Sequence, residues 1–135
     1  IKPEAYGIST FTMAFQDPAD RASFHFQPGQ FNMLYLPGVG EVAISISSDP
    51  ADARHLGHTI RYAGNVTRAM GRLKVGDALG VRGPYGSHWP LEKAQGKNLV
   101  IVAGGIGLAP LRPVILSVLR ERKSMCTLII SFSTA

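Results

Sequence analysis

The segment Leu99–Pro113 constrains the fold more than any other part of the chain. It opens with the continuous apolar run Leu99–Ala103, passes through a glycine turn and reaches Pro110, where a helix is expected to begin. An apolar run without alternation is typical of a parallel strand buried on both faces. Glycines that follow such a strand let backbone N–H groups approach a phosphate closely. The segment therefore predicts the strand, turn and helix start of a nucleotide-binding unit.

The residues that follow predict the rest of one βαβ unit. Apolar side chains recur at helical spacing from Leu111 to Leu119, and Met125–Phe132 is a second apolar strand. A single βαβ unit leaves its sheet edges and one face uncovered. In a chain of 135 residues, we therefore expect residues 97–135 to form only the first βαβ unit of a truncated α/β, Rossmann-like domain.

The first two thirds of the chain are read as short strands separated by glycine and proline turns. Strands at this spacing predict an all-β, antiparallel six-stranded barrel over residues 1–93. One short helix is expected between the fifth and sixth strands, at Asn65–Lys74, and the polar stretch Glu92–Lys97 is expected to link the two parts. The six predicted strands are Ile8–Phe15, Ser23–Phe26, Phe31–Leu36, Glu41–Ser47, His58–Ala63 and Ala78–Arg82.

Charge and composition exclude several classes of protein. Fourteen Lys and Arg against nine Asp and Glu give a net charge of +5, but the cations are scattered and are not interleaved with aromatics, so we expect no nucleic-acid partner. They suit cofactor phosphates or an acidic protein partner equally well. No apolar run approaches the roughly 20 residues of a membrane span, and no secretory signal is visible. With a single cysteine and no metal-ligand spacing among four histidines, we expect a cytoplasmic protein without a metal site.

The glycine turn Gly104–Pro110 is the first candidate binding segment. Gly105 and Gly107 fit the dinucleotide pattern G-x-G-x-x-G, whereas Pro110 stands at its third glycine. No Asp or Glu ends the following strand to hold a ribose hydroxyl. The alternative interpretation is an ordinary glycine turn of an α/β protein.

Three upstream segments have polar or aromatic groups that could contact a cofactor. Alternation in Ile44–Ser47 places two serines on one strand face, where they bind a heteroaromatic edge or simply face solvent. Gly64–Thr67 is either an anion site at a helix start or a plain helix cap. In the loop Val81–Gly86 and at Trp89, aromatic rings either stack on a flavin or pack the end of the barrel.

Taken in order, these motifs resemble the ferredoxin–NADP reductase superfamily. The sequence is most similar in appearance to the gamma subunits of hydrogenase and sulfur reductase, to the flavin subunit of anaerobic sulfite reductase and to the electron-transfer subunit of dihydroorotate dehydrogenase. The segments Pro28–Tyr35 and Ile44–Ser48 carry the likeness to gamma subunits, and the resemblance extends over about Ala5–Phe132.

The resemblance implies a flavin-dependent oxidoreductase or electron-transfer subunit, and it favours FAD over FMN as the flavin. Electrons would pass from NAD(P)H as co-substrate, through the flavin, to an iron–sulfur or hydrogenase-type partner, without a catalytic side chain. An alternative is a non-catalytic flavin-binding module, or truncated fragment, whose incomplete second domain docks a protein. The implied cofactor-binding residues are Ile44, Ser45, Ile46, Ser47, His58, Thr59, Ile60, Arg61, Gly64, Asn65, Val66 and Thr67 for the flavin, and Gly104, Gly105, Ile106, Gly107, Leu108 and Pro110 for the nicotinamide nucleotide.

The sequence also departs from the family pattern. Val42 stands where many relatives carry an arginine for a flavin phosphate, and Arg61 is the expected substitute. The cysteine cluster that relatives use for an iron–sulfur centre does not occur in these 135 residues, so the resemblance implies NAD(P) binding and onward electron transfer for the parent protein.

Overall fold

A computed structural model of the chain describes residues 1–52, 54–121 and 124–132. Two short 3₁₀ turns cover Leu91–Ala94 and Gly105–Gly107. The helices are α1 (Pro18–Ser23), α2 (Asn65–Met70) and α3 (Leu108–Glu121). The strands are β1 (Lys2–Ala5), β2 (Ile8–Met13), β3 (Phe31–Leu36), β4 (Gly40–Ser45), β5 (Leu56–Arg61), β6 (Gly80–Tyr85), β7 (Lys97–Gly104) and β8 (Ser124–Phe132).

The first six strands form two antiparallel sheets of three strands each, in the orders β1–β2–β5 and β4–β3–β6. The sheets meet at an isolated bridge between Ile46 and His58. The prediction of a closed barrel is wrong in its closure, because β1 and β6 do not pair within the described residues. Pro3 in β1 and Pro84 in β6 have no N–H to donate to a ladder, which suits both strands to sheet edges.

The predicted strand at Ser23–Phe26 is also wrong. Asp17 caps α1 by accepting a hydrogen bond from the Ala19 amide at 2.8 Å, and Pro18 starts the helix. This capping signal outweighs the alternation that follows it. Phe24 then packs its ring between those of Phe15 and Phe26 instead of entering a sheet. The first strand, β1, is not predicted by the sequence pattern, because its four residues are all exposed and have no apolar periodicity.

A compact apolar core holds the two sheets together. Phe11, Leu34, Ile60 and Met70 are buried and in contact, one from each of β2, β3, β5 and α2. Val42, Ile44 and six other half-buried apolar side chains pack around them. Burial of this apolar surface is the main force that keeps the sheets face to face.

The C-terminal part contains the predicted βαβ unit. β7 and β8 pair in parallel, and α3 packs Val114 and Val118 against Ile101 of β7. The prediction that β7 is buried on both faces is wrong, because Val100 and Val102 are 58% and 57% exposed. A single helix covers a single face of a sheet. The side chain of Cys126, predicted to be inert core, lies outside the described side chains.

No helix within the described residues is long and apolar enough to span a membrane.

Gly83 of β6 lies directly over a buried polar side chain of β3. Its backbone has φ near +152°, and a Cβ added there would stand 2.2 Å from Asn32 Oδ1. Side chains larger than hydrogen are therefore excluded by both the conformation and the contact. Gly107 is different, since a Cβ there would meet nothing within 4 Å and its φ is not positive.

We expect Gly83→Ala to lower the free energy of unfolding by about 3 kcal/mol, because backbone strain and a steric clash add. Gly107→Ala is the matched control and should change it by less than about 1 kcal/mol. Urea unfolding followed by circular dichroism measures both values. Equal stabilities of the two variants would contradict the close packing of β6 on Asn32.

Candidate functional site

The segment Ile44–Ser47 runs out of β4 beside β5. Ile44 packs against the core, whereas Ser45 lies half-buried on the other face, paired with Phe31 of β3. Among the described residues the Ser45 hydroxyl has no hydrogen-bond partner, so it is available to a ligand. Ser47, predicted on the same face as Ser45, is buried and hydrogen-bonds the Thr59 hydroxyl at 3.0 Å. The alternation fails because β4 ends at Ser45.

The segment His58–Arg61 of β5 is mostly turned inward. Ile60 is in the core, and Thr59 shares hydrogen bonds with Ser47 and, at 2.9 Å, with Thr10. Arg61 ends the strand with an exposed side chain. Of these four predicted flavin-binding residues, Arg61 is the one whose side chain is free to meet a phosphate.

His58 is fully buried, and both of its ring nitrogens are used within the protein. Nδ1 donates to the Ser45 carbonyl oxygen at 2.9 Å, and Nε2 accepts from the Asn32 amide nitrogen at 3.1 Å. Burial lowers the pKa of His58 to about 4, although the carbonyl groups of Ser45 and Ile44 act in the opposite direction. The ring is therefore neutral at pH 7 and joins three strands: β3, β4 and β5.

The segment Gly64–Thr67 forms the start of α2. The Gly64 amide donates to the Thr67 hydroxyl at 2.9 Å, and that hydroxyl contacts the Gly64 carbonyl at 3.1 Å. In the described part of the chain the amides of Asn65 and Val66 have no backbone partner, as is usual at a helix start. Val66 packs beside Gly40 of β4. The first amides of α2 are thus fixed next to β4 and free to donate.

The segment Gly104–Pro110 joins β7 to α3. Gly105 has φ near +51°, and a Cβ on Gly105 or Gly107 would meet nothing within 4 Å, so the backbone of the turn is accessible. The helix begins at Leu108, two residues before the predicted start, and Pro110 lies in its first turn. The accessible backbone of the turn at a helix start is suited to an anionic ligand.

Two arginines of α3 attach this unit to the end of β4. Arg112 donates to the Ser47 carbonyl at 2.7 Å, and both terminal nitrogens of Arg120 lie 2.9 Å from Asp49 Oδ1. Both contacts fall beyond Ser45, in the loop before β5. These contacts attach α3, which follows the predicted nicotinamide segment, to the end of the predicted flavin segment at Ser47 and to the loop beyond it.

An aromatic row continues from Ser45 across the outer face of the sheet. Phe31 pairs with Ser45 on one side and with Tyr85 on the other, and the two rings are 5.9 Å apart. The Arg82 guanidinium lies 5.7 Å from the Tyr85 ring and contacts Glu41. Trp89 covers Gly29 and remains half exposed. Flat apolar surface thus lies next to Ser45.

A large cavity among the described residues lies elsewhere. It has a volume of about 850 Å³, opens between β2 and β6, and is lined by none of the implied cofactor-binding residues. Phe11, Met13 and Val81 are among its lining residues. Open surface along β4 and α2, and not this cavity, is where the predicted flavin segments meet. No cluster of three or more metal-ligating side chains occurs among the residues that the structure describes.

Sequence reasoning missed Asn32 and Arg112. Asn32 occupies an inward position of β3 between apolar neighbours, and a polar residue in a core register was a usable signal. No local pattern could have found Arg112, because its partner Ser47 is 65 residues away in the chain.

No protein-family model matches the chain. The chain is 46% identical over 112 residues to the sulfhydrogenase 1 gamma subunit of Pyrococcus furiosus, covering 83% of this chain and 38% of that protein. It is 39% identical over 114 residues to a probable dihydroorotate dehydrogenase B (NAD(+)) electron-transfer subunit of Methanocella arvoryzae, covering 84% and 39%. The chain thus spans less than two fifths of the length of these curated relatives.

Solved structures of reductases share the fold of this chain. An Amycolatopsis cytochrome P450 reductase superposes with a TM-score of 0.81 at 25% identity, over 97% of this chain and 40% of that one. A ferredoxin NADP⁺ reductase from Neisseria gonorrhoeae with bound FAD and NADP superposes with a TM-score of 0.72 at 19% identity, over 94% and 52%. The second likeness is one of fold alone.

The buried His58 gives a testable pH dependence. An unfolded histidine has a pKa near 6.5, whereas that of folded His58 is about 4. Between these values the unfolded state takes up a proton that the folded state does not, so stability falls as the pH falls. We expect a loss of about 2 to 3 kcal/mol between pH 7 and about pH 4.5 that is absent in His58→Gln.

Urea unfolding at the two pH values measures this difference. His25→Gln is the control, since His25 is exposed and its removal should leave the pH dependence of the wild type. A wild-type pH dependence in His58→Gln would contradict the burial of a neutral imidazole.

Proposed function

Because the chain belongs to the ferredoxin–NADP reductase superfamily, as a homologue of sulfhydrogenase gamma and dihydroorotate dehydrogenase electron-transfer subunits, we propose that it binds FAD and transfers electrons. Residues 1–93 would be the flavin domain, and residues 97–135 the start of a nicotinamide-nucleotide domain. The observation that carries the proposal is that Ser45 and Arg61 end two strands joined at the Ile46–His58 bridge, while the start of α2 packs Val66 beside Gly40 of β4.

The donor set fits a flavin. A flavin dinucleotide needs hydrogen-bonding groups along a planar heteroaromatic edge and cations or amides at its phosphates. The free Ser45 hydroxyl and the neighbouring Phe31 and Tyr85 rings supply the first kind of surface. Arg61 and the amides of α2 supply the second. The open surface along β4 leaves room for a flat ring system.

The remaining predicted flavin-site residues on β4 and β5 would support the site by packing and hydrogen bonds. Ile44, Ile46 and Ile60 shape the strand edge from beneath, while His58, Thr59 and Ser47 hold it by hydrogen bonds. When bound, FAD would supply the exchange between two-electron chemistry with NAD(P)H and single-electron transfer to an iron–sulfur or hydrogenase-type partner. The protein's own task is to align the two nucleotides, and Arg112 contributes by holding α3 against Ser47.

Residues Gly104–Pro110 would hold the phosphates of the nicotinamide nucleotide. The accessible backbone of Gly105 and Gly107 and the start of α3 support this role. An alternative function follows from the bare face of β7, where Val100 and Val102 are exposed. In that alternative the chain is a non-catalytic flavin module that docks another protein through this face.

Arg61 gives a direct test of the flavin site. We expect the purified chain to bind FAD in a one-to-one ratio, and Arg61→Gln to raise the dissociation constant about tenfold, because a charge-assisted bond to phosphate is lost. Arg72→Gln removes an exposed arginine elsewhere and is the matched control. Quenching of FAD fluorescence measures all three constants. Failure of the wild-type chain to bind either FAD or FMN would refute the proposed function.

The second test separates the enzyme from the binding module. Excess NADH or NADPH, added without oxygen to the FAD-loaded chain, is expected to bleach the visible flavin absorbance, because the turn at Gly104–Pro110 holds the nucleotide beside the flavin site. A chemical reductant is the control for complete bleaching. Bleaching by the chemical reductant alone, at full FAD occupancy, would favour the non-catalytic module.

A further inference from the structure

We propose that His58 is a positioning residue that fixes the peptide between Ser45 and Ile46 for flavin binding, with the Asn32 amide donating to its other ring nitrogen. The inference rests on the proposed flavin site, since Ser45 is the residue placed at the ring. It adds a role for two buried side chains that never meet the ligand. With its backbone held in this way, Ser45 would keep the direction of its Cα–Cβ bond and so present its hydroxyl from one position.

The peptide between Ser45 and Ile46 is clamped from both sides. The Ile46 amide donates to the Gln30 carbonyl at 3.0 Å, and the Ser45 carbonyl accepts from His58 Nδ1 at 2.9 Å. β4 ends at Ser45, and Ile46 makes only an isolated bridge, so a continuous ladder does not hold this peptide. The imidazole supplies the bond that the ladder lacks.

The Asn32 amide completes the arrangement by donating to the second ring nitrogen of His58. A carbonyl at Nδ1 requires a proton on that nitrogen, which leaves Nε2 of neutral His58 as an acceptor. Nε2 then requires a donor, and the Asn32 amide nitrogen lies 3.1 Å away. This orientation turns Asn32 Oδ1 towards Gly83, where it is buried without a partner among the described residues. The low pKa of the buried ring, about 4, keeps His58 neutral.

A buried oxygen without a partner is costly and persists where the rest of its side chain is needed. Reversal of the Asn32 amide would set its oxygen against the lone pair of Nε2. Moving the ring proton to Nε2 would relieve that conflict but leave Nδ1 as an acceptor facing the Ser45 carbonyl. The unsatisfied Oδ1 is therefore the consequence of a hydrogen-bond direction that is set at Ser45. Both side chains are 0% exposed, so solvent cannot substitute for either.

Two substitutions separate the Ser45 bond from the Asn32 bond. His58→Asn keeps a donor at the position of Nδ1 and loses the acceptor at Nε2. His58→Gln keeps an acceptor at the position of Nε2 and loses the donor to Ser45. If His58 acts through Ser45, the asparagine variant retains flavin affinity and the glutamine variant does not. If His58 is only a core residue, both variants behave alike.

The experiment titrates wild type, His58→Asn, His58→Gln and Leu34→Val with FAD, and records the reduction potential of the bound flavin and the melting temperature. Leu34 is buried on the strand that carries Asn32, so its variant controls for lost stability. In His58→Gln we expect the dissociation constant for FAD to rise about tenfold and the reduction potential of the bound flavin to shift. In His58→Asn the constant should change at most about threefold, and Leu34→Val should bind FAD as the wild type does.

Equal changes in the two His58 variants, or wild-type affinity in both, overturn the role of His58 and leave the flavin site standing. A wild-type chain without FAD binding overturns the proposed function and this inference with it. Should His58→Gln fail to fold, nitrogen NMR of the wild type decides: the proton must reside on His58 Nδ1, and its resonance must move when FAD is added. An Nε2 proton, or an unmoved Nδ1 resonance, refutes the inference.

Discussion

The hydrogen-bonded contact between β4 and β5 at His58 is the constraint on which the rest of the structure depends. The two sheets share an apolar core, but packing alone does not specify how one sheet is aligned along the other. The imidazole does so, because its two nitrogens reach β3 and β4 from β5 and admit one tautomer. Together with the bridge and the backbone bond from Ser47 to Gly57, this buried side chain sets the position of Ser45 and hence of the proposed flavin site.

The C-terminal βαβ unit is attached to the molecule close to Ser45 as well. Arg112 and Arg120 reach from α3 to the residues just beyond Ser45, so the βαβ unit is attached to the loop that follows β4. The position of α3 relative to β4 therefore depends on the conformation of Ser47.

Sequence patterns predicted the elements that have a periodicity and missed those that depend on contacts. Strand β3 was predicted from the turns on either side of it, and the βαβ order from the apolar runs and helical spacing after Leu99. The strand expected at Ser23–Phe26 does not form, because Asp17 caps a helix that extends to Ser23. The exposed edge strand β1 has no apolar periodicity from which it could be predicted. Of the site, the segments around Ser45 and Gly64 were predicted as local motifs. Their convergence, and the inward role of His58, arise from pairing between distant strands.

The isolated bridge between Ile46 and His58 has a consequence for motion. Within each sheet the strands pair over several residues, whereas one bridge, the backbone bond from Ser47 to Gly57 and a few side chains join the sheets across β4 and β5. Cooperative opening units follow such differences in connection. The shared core keeps the sheets face to face, but the seam between β4 and β5 has few backbone hydrogen bonds, and it runs beneath the proposed flavin site. A ligand that spans β4 and β5 would bridge this seam and slow hydrogen exchange of the amides beside it.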